Sequence, residues 1–296
     1  MNHYPPFNDA YPSRRDTLKY DMSFCDMSKC DPPACDAPSL AGAAAPALLE
    51  AAAFEPAIVA ERLTKAYGTC HAVDGVSFTL PKGCTIGLLG GNGAGKTTTI
   101  SMIMGLAIPT SGRVTVLGHD MAKARHKVLR RMNFQSPYVA MPARLTVREN
   151  LDVFARLYGV RDLNGRIAAL AEEFGLCDVL GRETGLLSAG QKTRVSIAKA
   201  LLNTPEVLLL DEPTASLDPE RAAWVRGLLM AYQRQTGAAI LMSSHNMEEV
   251  IEMCDRVVIL SFGRVAAFGT PAELVWRYGC GTLEEVFLRL SGEGGW

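Results

Sequence analysis

The stretch Thr85–Thr98, TIGLLGGNGAGKTT, joins a short apolar run to a glycine-rich loop, and a second apolar segment follows directly. The run from Thr85 to Leu89 predicts a buried strand. The segment from Thr97 to Ile108 predicts a helix, which Pro109 would stop. A strand, a tight turn and a helix in this order are the building block of α/β folds.

Short apolar runs recur later in the chain and alternate with helical patterns. VLLLD at 207–211 and AAILMSSH at 238–245 predict strands, and a helix is predicted from Glu220 to Thr236 between them. A further helix is predicted from Asn246, before the apolar run DRVVILSFGRVAAFG. Because apolar runs between helices are typical of a sheet buried on both faces, the predicted fold class is α/β.

The middle of the chain has helical periodicity instead. Apolar residues recur there at intervals of three and four, namely Val147, Leu151, Phe154 and Leu157, and then Ile167, Leu170 and Phe174. This pattern predicts a mostly helical insert. We place it at about residues 136–200, inside a folded domain of residues 55–296.

The first 54 residues differ in kind from the rest. They contain a near-repeat, DMSFC, DMSKC and DPPAC, in which Cys25, Cys30 and Cys35 each precede an aspartate. Proline-rich, weakly periodic sequence buries too little apolar surface to offset its ordering entropy, so we predict a disordered tail. The three thiols either bind a soft metal or act in redox chemistry, or simply belong to a solvated tail.

Composition restricts the function. The 296 residues are 48% hydrophobic, which is enough for an ordinary core, and their net charge of −1 carries no basic cluster. We therefore expect no nucleic-acid partner. No stretch approaches the roughly 20 apolar residues of a membrane span, and the amino terminus lacks a signal-peptide core, which predicts a cytoplasmic protein. The remaining cysteines are expected to be small buried hydrophobes in a reducing compartment.

The glycine loop has the spacing G-x-x-x-x-G-K-[ST]. Placed between a strand and a helix, it predicts a phosphate site in which successive backbone N–H groups and the helix terminus face phosphate oxygens. Lys96 would neutralise the β- and γ-phosphates of a nucleotide, and Thr97 would bind Mg²⁺. The predicted nucleotide-binding residues of this loop are Gly90, Gly91, Asn92, Gly93, Ala94, Gly95, Lys96, Thr97 and Thr98.

Three further polar residues follow predicted strands. Asp211 ends a run of aliphatic residues, which places its carboxylate at the edge of the sheet where ligands of α/β folds bind, so it is a candidate Mg²⁺ ligand through water. Glu212 is well placed to accept a proton from an attacking water. His245 ends the next predicted strand, which would bring its imidazole towards the γ-phosphate.

The ordered set GGNGAGKTT, LLSAGQ, VLLLDEP, SLD and SSH resembles the ATP-binding subunits of ABC transporters. The resemblance covers roughly residues 57–296. It implies a P-loop NTPase core with a β-rich amino-terminal subdomain and an inserted helical subdomain, and it implies ATP and Mg²⁺ as the bound species. Two residues depart from the family's pattern: Gly91 stands where proline is frequent, and Ala189 stands where glycine is usual.

The resemblance also assigns roles to residues outside the phosphate loop. Tyr67 matches the aromatic residue that stacks on adenine, and Gln135 matches the glutamine that contacts Mg²⁺ and the reacting water. Asp218, in the SLD motif, joins the nucleotide-binding residues. In LLSAGQ, Ser188 and the Gly190 backbone N–H, with Gln191 beside them, would close over ATP held by a second subunit.

The resemblance finally implies partners. They are a second ATP-binding subunit in a homodimer and an integral membrane permease, which would hold the chain at the cytoplasmic face of the inner membrane. The loop Ser136–Leu145 either docks that permease or caps its own domain. The closing segment, residues 270–292, resembles the end of ABC-2-type exporter ATPases.

The alternatives are a soluble ABC ATPase of translation or DNA repair and a nucleotide-dependent regulator without turnover. A single phosphate loop without a heptad run argues against the first. The joint presence of Glu212, His245 and Gln135 argues against the second. The sequence contains no N-K-x-D motif, which argues against a GTPase.

Overall fold

The computed structural model describes residues 55–136 and 141–292. The tail predicted for residues 1–54, with its three cysteines, lies outside these ranges. Within them, no helix combines the length and the apolar character that crossing a membrane requires.

Two β-sheets form the framework. The first is antiparallel, with strand order β2-β1-β4-β5. Its strands are β1 Pro56–Tyr67, β2 Cys70–Pro81, β4 Ser111–Val116 and β5 His119–Asp120. The second sheet has the order β10-β9-β3-β8-β7-β6 and is parallel except for β10. Its strands are β3 Thr85–Gly90, β6 Met132–Gln135, β7 Val207–Asp211, β8 Ala239–Ser243, β9 Arg256–Ser261 and β10 Arg264–Gly269.

The second sheet is covered on both faces, as its apolar strands predict. In β7, Leu208 and Leu210 pack in one core, while Val207 and Leu209 pack in the other. The first core contains helical residues such as Leu170, and the second contains residues of the antiparallel sheet and of the first helix. Because β3, β6, β7 and β8 are parallel, their carboxyl ends lie at one shared edge of the sheet.

Nine helices are present in the described ranges. They are α1 Lys96–Ile103, α2 Met121–Ala124, α3 Val147–Tyr158, α4 Leu163–Glu173, α5 Ala189–Ala200, α6 Pro219–Thr236, α7 Met247–Met253, α8 Pro271–Tyr278 and α9 Leu283–Gly292. Short 3₁₀ turns occur at Arg125–Lys127, Cys177–Val179 and Thr184–Leu186. The predicted fold class, an α/β P-loop core, is confirmed.

Two sequence-based expectations were wrong in detail. Helix α1 is shorter than predicted, because Gly105 adopts φ 67° and its N–H returns to the Met102 carbonyl. Strand β8 ends at Ser243, so His245 lies two residues beyond the strand rather than at its end.

The expectation that the cysteines of the folded domain are buried was also wrong for most of them. Only Cys254 is buried among the described cysteines, whereas Cys70 and Cys177 are exposed. Cys84 and Cys280 are half-buried. Burial raises the pKa of the Cys254 thiol well above its usual range. No group of three His, Cys, Asp or Glu side chains in the described ranges is arranged to hold a metal ion.

Candidate functional site

The glycine loop between β3 and α1 is shaped by backbone that side chains would obstruct. Gly95 adopts φ 99°, and a Cβ there would lie 2.5 Å from the Ala72 carbonyl oxygen. At Gly90 a Cβ would lie 2.8 Å from the Leu260 carbonyl oxygen. Because Gly95 is the N-cap of α1, no side chain covers the first N–H groups of that helix. These groups are therefore available to an anion.

The other predicted loop residues occupy the same turn. Asn92 and Gly93 are exposed, and Gly93 adopts φ 78°. The buried Ala94 donates its N–H to the Gly91 carbonyl across 3.2 Å. Thr97 is exposed in the first turn of α1, and Thr98 beside it is half-buried.

The Lys96 ammonium folds back over its own loop. Its Nζ donates to the Gly90 carbonyl at 2.5 Å and to the Gly91 carbonyl at 3.0 Å. Partial burial lowers the pKa of Lys96, while Glu212 and then Asp211 act in the opposite direction. The two carboxylates thus act on the pKa of Lys96 from the end of a different strand, β7.

The Asp211 carboxylate is oriented by two hydroxyl groups. Ser243 donates to Oδ1 at 2.5 Å, and Ser136 donates to Oδ2 at 3.1 Å. Ser243 reaches the Asp211 carboxylate because β8 pairs with β7 in a register that places the two residues opposite each other. Neither serine was predicted from the sequence to orient Asp211, because this role depends on which strands are neighbours in the sheet.

Gln135 lies at the same edge, at the end of β6. It is 1% exposed, and among the described residues neither its Oε1 nor its Nε2 has a hydrogen-bond partner. Buried polar atoms without a partner are costly, so this amide is suited to a polar ligand. Carboxylate, hydroxyl and amide oxygens are the ligands that Mg²⁺ prefers. Asp211, Thr97 and Gln135 therefore fit that metal.

Glu212 and His245 contact each other directly. The Glu212 Oε1 lies 3.0 Å from the His245 Nδ1, and the side chains are 28% and 73% exposed, respectively. Glu212 has a left-handed backbone, φ 48°, which is unfavourable for a residue with a side chain. Its N–H donates to the Ser243 carbonyl at 3.0 Å. The two residues predicted to act together are thus neighbours.

The LLSAGQ segment forms the start of helix α5, separate from the phosphate loop. Ser188 is the N-cap: its Oγ accepts the Gln191 N–H at 3.3 Å, and the Gln191 Oε1 accepts the Ser188 N–H at 3.0 Å. A Cβ at Gly190 would lie 3.3 Å from the Leu217 side chain. In the described part of the chain, Ser188 and Gln191 bond to each other rather than to the glycine loop.

Tyr67 and Asp218 are the two predicted nucleotide-binding residues that lie outside both the glycine loop and the LLSAGQ segment. Tyr67 ends β1 with 57% of its surface exposed, and the Lys65 ammonium lies 5.1 Å from the centre of its ring. Asp218 is the N-cap of α6, where its Oδ1 accepts the Arg221 N–H at 3.0 Å. This cap gives Asp218 a structural task that the sequence did not predict.

A lysine on the glycine loop after β3, with adjacent carboxylates at the end of the parallel strand β7 on the far side of β8, is the arrangement of a P-loop nucleoside triphosphatase. Comparison with known proteins narrows this class. The ABC transporter family model matches residues 73–215. The chain belongs to the ATP-binding subunits of ABC transporters, and it is accordingly an ATP-binding protein and an ATPase.

Individual relatives extend this match over most of the chain. It is 38% identical over 235 residues to the linearmycin resistance ATP-binding protein LnrL of Bacillus subtilis (strain 168), covering 79% of this chain and 75% of that protein. It is 40% identical over 228 residues to the Nod factor export ATP-binding protein I of Burkholderia orbicola (strain AU 1054), covering 74% and 73%. A solved ATP-binding subunit of an ABC transporter superposes with a TM-score of 0.74 at 30% identity, covering 79% of this chain and 98% of that one.

Proposed function

We propose that the chain energises an ABC exporter by closing on a second copy of itself around ATP and Mg²⁺, with Glu212 as the general base. The observation that carries this proposal is the edge where Lys96, Asp211 and the Glu212–His245 pair meet. These residues come from three separate parts of the chain, the connections that follow β3, β7 and β8, and the shared edge of the parallel sheet brings them together.

ATP binding would use the exposed donors of the glycine loop. The Lys96 ammonium exchanges its carbonyl contacts for the β- and γ-phosphates, and the uncapped N–H groups of α1 contact phosphate oxygens. Tyr67 stacks on the adenine, since its exposed ring lies at the end of β1. Asp218 belongs to the same proposed site through the loop that follows β7.

Thr97, Asp211 and Gln135 would hold Mg²⁺, which supplies positive charge beside the reacting phosphate when bound. The Ser136 and Ser243 hydroxyls hold the Asp211 carboxylate in one orientation. Glu212 takes the proton of the attacking water. The contact of His245 Nδ1 with Glu212 leaves the Nε2 side of the imidazole for a hydrogen bond to the γ-phosphate.

The LLSAGQ segment would complete the site of the other subunit. The Ser188 Oγ accepts its helix-capping bond from Gln191 N–H, so the hydroxyl proton remains free to be donated. Ser188 and the Gly190 N–H then contact the partner's γ-phosphate. Each hydrogen bond to a charged group contributes about 1.5–3 kcal/mol, so closure of the dimer would depend on that phosphate.

Export is supported by the names of two relatives, a linearmycin resistance protein and a Nod factor export protein. On this proposal, a separate membrane permease provides the transport path and holds the subunit at the cytoplasmic face of the membrane. Four residues of the proposed docking loop, 137–140, lie outside the described ranges. The cargo would be selected by the permease.

The Glu212→Gln variant tests the closure mechanism. It keeps the shape of the side chain but removes the base, so ATP turnover should fall by about 10²- to 10⁴-fold while ATP still binds. The trapped protein should elute as a dimer with ATP and Mg²⁺, whereas the wild type returns to monomer after hydrolysis. A Glu212→Gln variant that stays monomeric at saturating ATP and Mg²⁺ would contradict the proposal.

A further inference from the structure

Glu249 is a buried carboxylate that the proposed mechanism does not use. It lies in the first turn of α7 and is 1% exposed. Its Oε1 accepts a hydrogen bond from the Thr214 hydroxyl at 2.8 Å, and its Oε2 accepts one from the Ser244 hydroxyl at 2.5 Å. Both donors are themselves buried.

The two donors belong to the two loops that carry the Glu212–His245 pair. Thr214 follows Glu212 by two residues in the loop after β7, and Ser244 immediately precedes His245 in the loop after β8. One carboxylate therefore joins a hydroxyl side chain of each loop, within two residues of the pair.

Glu249 does not make the capping bond that the residue at the same helix position makes in α3, α5 and α8. At the third position of α3, α5 and α8, the Glu or Gln side chain bonds back to the N-cap N–H in a capping box. Glu249 holds the same position in α7, but the N-cap N–H of Asn246 donates to the Ser244 Oγ instead, at 3.1 Å. The helix cap does not require Glu249, because the Asn246 side chain already accepts the Glu248 and Glu249 N–H groups.

A backbone hydrogen bond from the Glu212 N–H to the Ser243 carbonyl, at 3.0 Å, joins the two chain segments, but it does not fix the two side chains. The His245 side chain is mostly exposed, so packing does not fix it. Glu212 has a left-handed backbone that persists only where surrounding contacts hold it. A bridge between buried groups on both loops supplies such support, because a buried polar group that lost its hydrogen-bond partners would be costly.

We propose that Glu249 is a positioning residue, which holds Glu212 and His245 in register for hydrolysis without contacting the nucleotide. This inference rests on the proposed roles of Glu212 and His245. Glu249 acts on them through Thr214 and Ser244. Loss of the bridge lets the two loops shift beyond the last β7–β8 contact, which misplaces the base relative to the γ-phosphate, whereas the phosphate loop that binds ATP is not altered.

The test compares the Glu249→Gln and Thr214→Val variants with the wild type. Each should lower kcat about 10- to 100-fold, the cost of a misplacement of about 1 Å, with an unchanged KM and ATP affinity. Thr214→Ser keeps a hydroxyl and should recover most of the kcat that Thr214→Val loses. This recovery separates positioning from a general loss of stability.

The matched control is Thr85→Val. Thr85 is equally buried and also makes a 2.8 Å side-chain hydrogen bond, accepted from Gln233 Nε2, but it begins β3 at the opposite edge of the sheet. Its replacement should lower the melting temperature about as much as Thr214→Val while leaving kcat unchanged. A fall in kcat of equal size in both threonine variants would overturn the inference.

Glu212→Gln in the same assay separates this inference from the proposed function. If Glu212→Gln keeps its turnover, the proposed function fails. If Glu212→Gln loses turnover while Glu249→Gln and Thr214→Val keep the wild-type kcat, the positioning role fails and the proposed function stands. Should Glu249→Gln not fold, the Thr214→Val and Thr214→Ser pair gives the decisive comparison.

Discussion

The glycine loop before α1 and the LLSAGQ segment before α5 both lead into a helix, but they treat its first N–H groups differently. Gly95 caps α1 without a side chain, whereas Ser188 and Gln191 cap α5 through two reciprocal bonds. The first loop leaves its donors open to a ligand. The second satisfies the Ser188 and Gln191 N–H groups and leaves the Ser188 hydroxyl proton available. On the proposed function, the first loop holds a nucleotide within the chain, and the second is formed before a partner arrives.

The largest expected effect is on ATP affinity and follows from replacing Lys96, the lysine of the glycine loop. Lys96→Met removes the ammonium from the phosphates, so the ATP affinity of the monomeric chain should fall about ten- to hundredfold, since a charged hydrogen bond contributes about 1.5–3 kcal/mol. Titration calorimetry below the dimerisation concentration measures this. Ser188→Ala should leave the same affinity unchanged, and an equal loss would show that the two loops serve one nucleotide within the chain.

Opposite exchanges of glycine and alanine test the shapes of the two loops. Gly95→Ala places a Cβ against the Ala72 carbonyl in left-handed backbone, so the free energy of unfolding should fall by at least about 1–2 kcal/mol and ATP binding should weaken. Ala189→Gly changes only the start of a capped helix and should cost at most about 1 kcal/mol. Urea denaturation compares the two variants. Equal costs would mean that the glycine loop has no special backbone requirement.

The smallest expected effect separates the cap of α5 from its proposed contact with a partner. Ser188→Ala and Thr270→Ala each remove the N-cap of a capping box, so each should lower the free energy of unfolding by about 1 kcal/mol. ATP turnover should fall only for Ser188→Ala. If Thr270→Ala lowers turnover as much, the loss comes from helix stability and the contact between subunits is not needed to explain it.

The sequence predicted those parts of the site that short local patterns encode. The glycine loop and Asp211 each lie within a few residues of an apolar strand, so periodicity alone placed them at the sheet edge. Ser243, Ser136 and Glu249 could not be found in this way. Their contacts depend on the strand order β3-β8-β7-β6, which sets residues 32 to 75 positions apart side by side.

The errors in element boundaries have local causes. Helix α1 ends early because Gly105 turns the chain with a positive φ, whereas the apolar run continues to Ile108 and gives no sign of the stop. His245 lies beyond β8 because pairing with β7 ends at Ser243 opposite Asp211. The two extra residues let His245 turn towards Glu212.

The left-handed backbone at Glu212 has a consequence for how such a subunit could change over generations. Glycine adopts this conformation without strain, so Glu212→Gly should relieve roughly 1 kcal/mol while removing the proposed base. Selection for stability alone would therefore favour loss of the carboxylate at this position. Stability alone therefore does not account for the glutamate at this position; on the proposed function, a lineage no longer selected for turnover would be expected to lose this residue before the glycine loop decays.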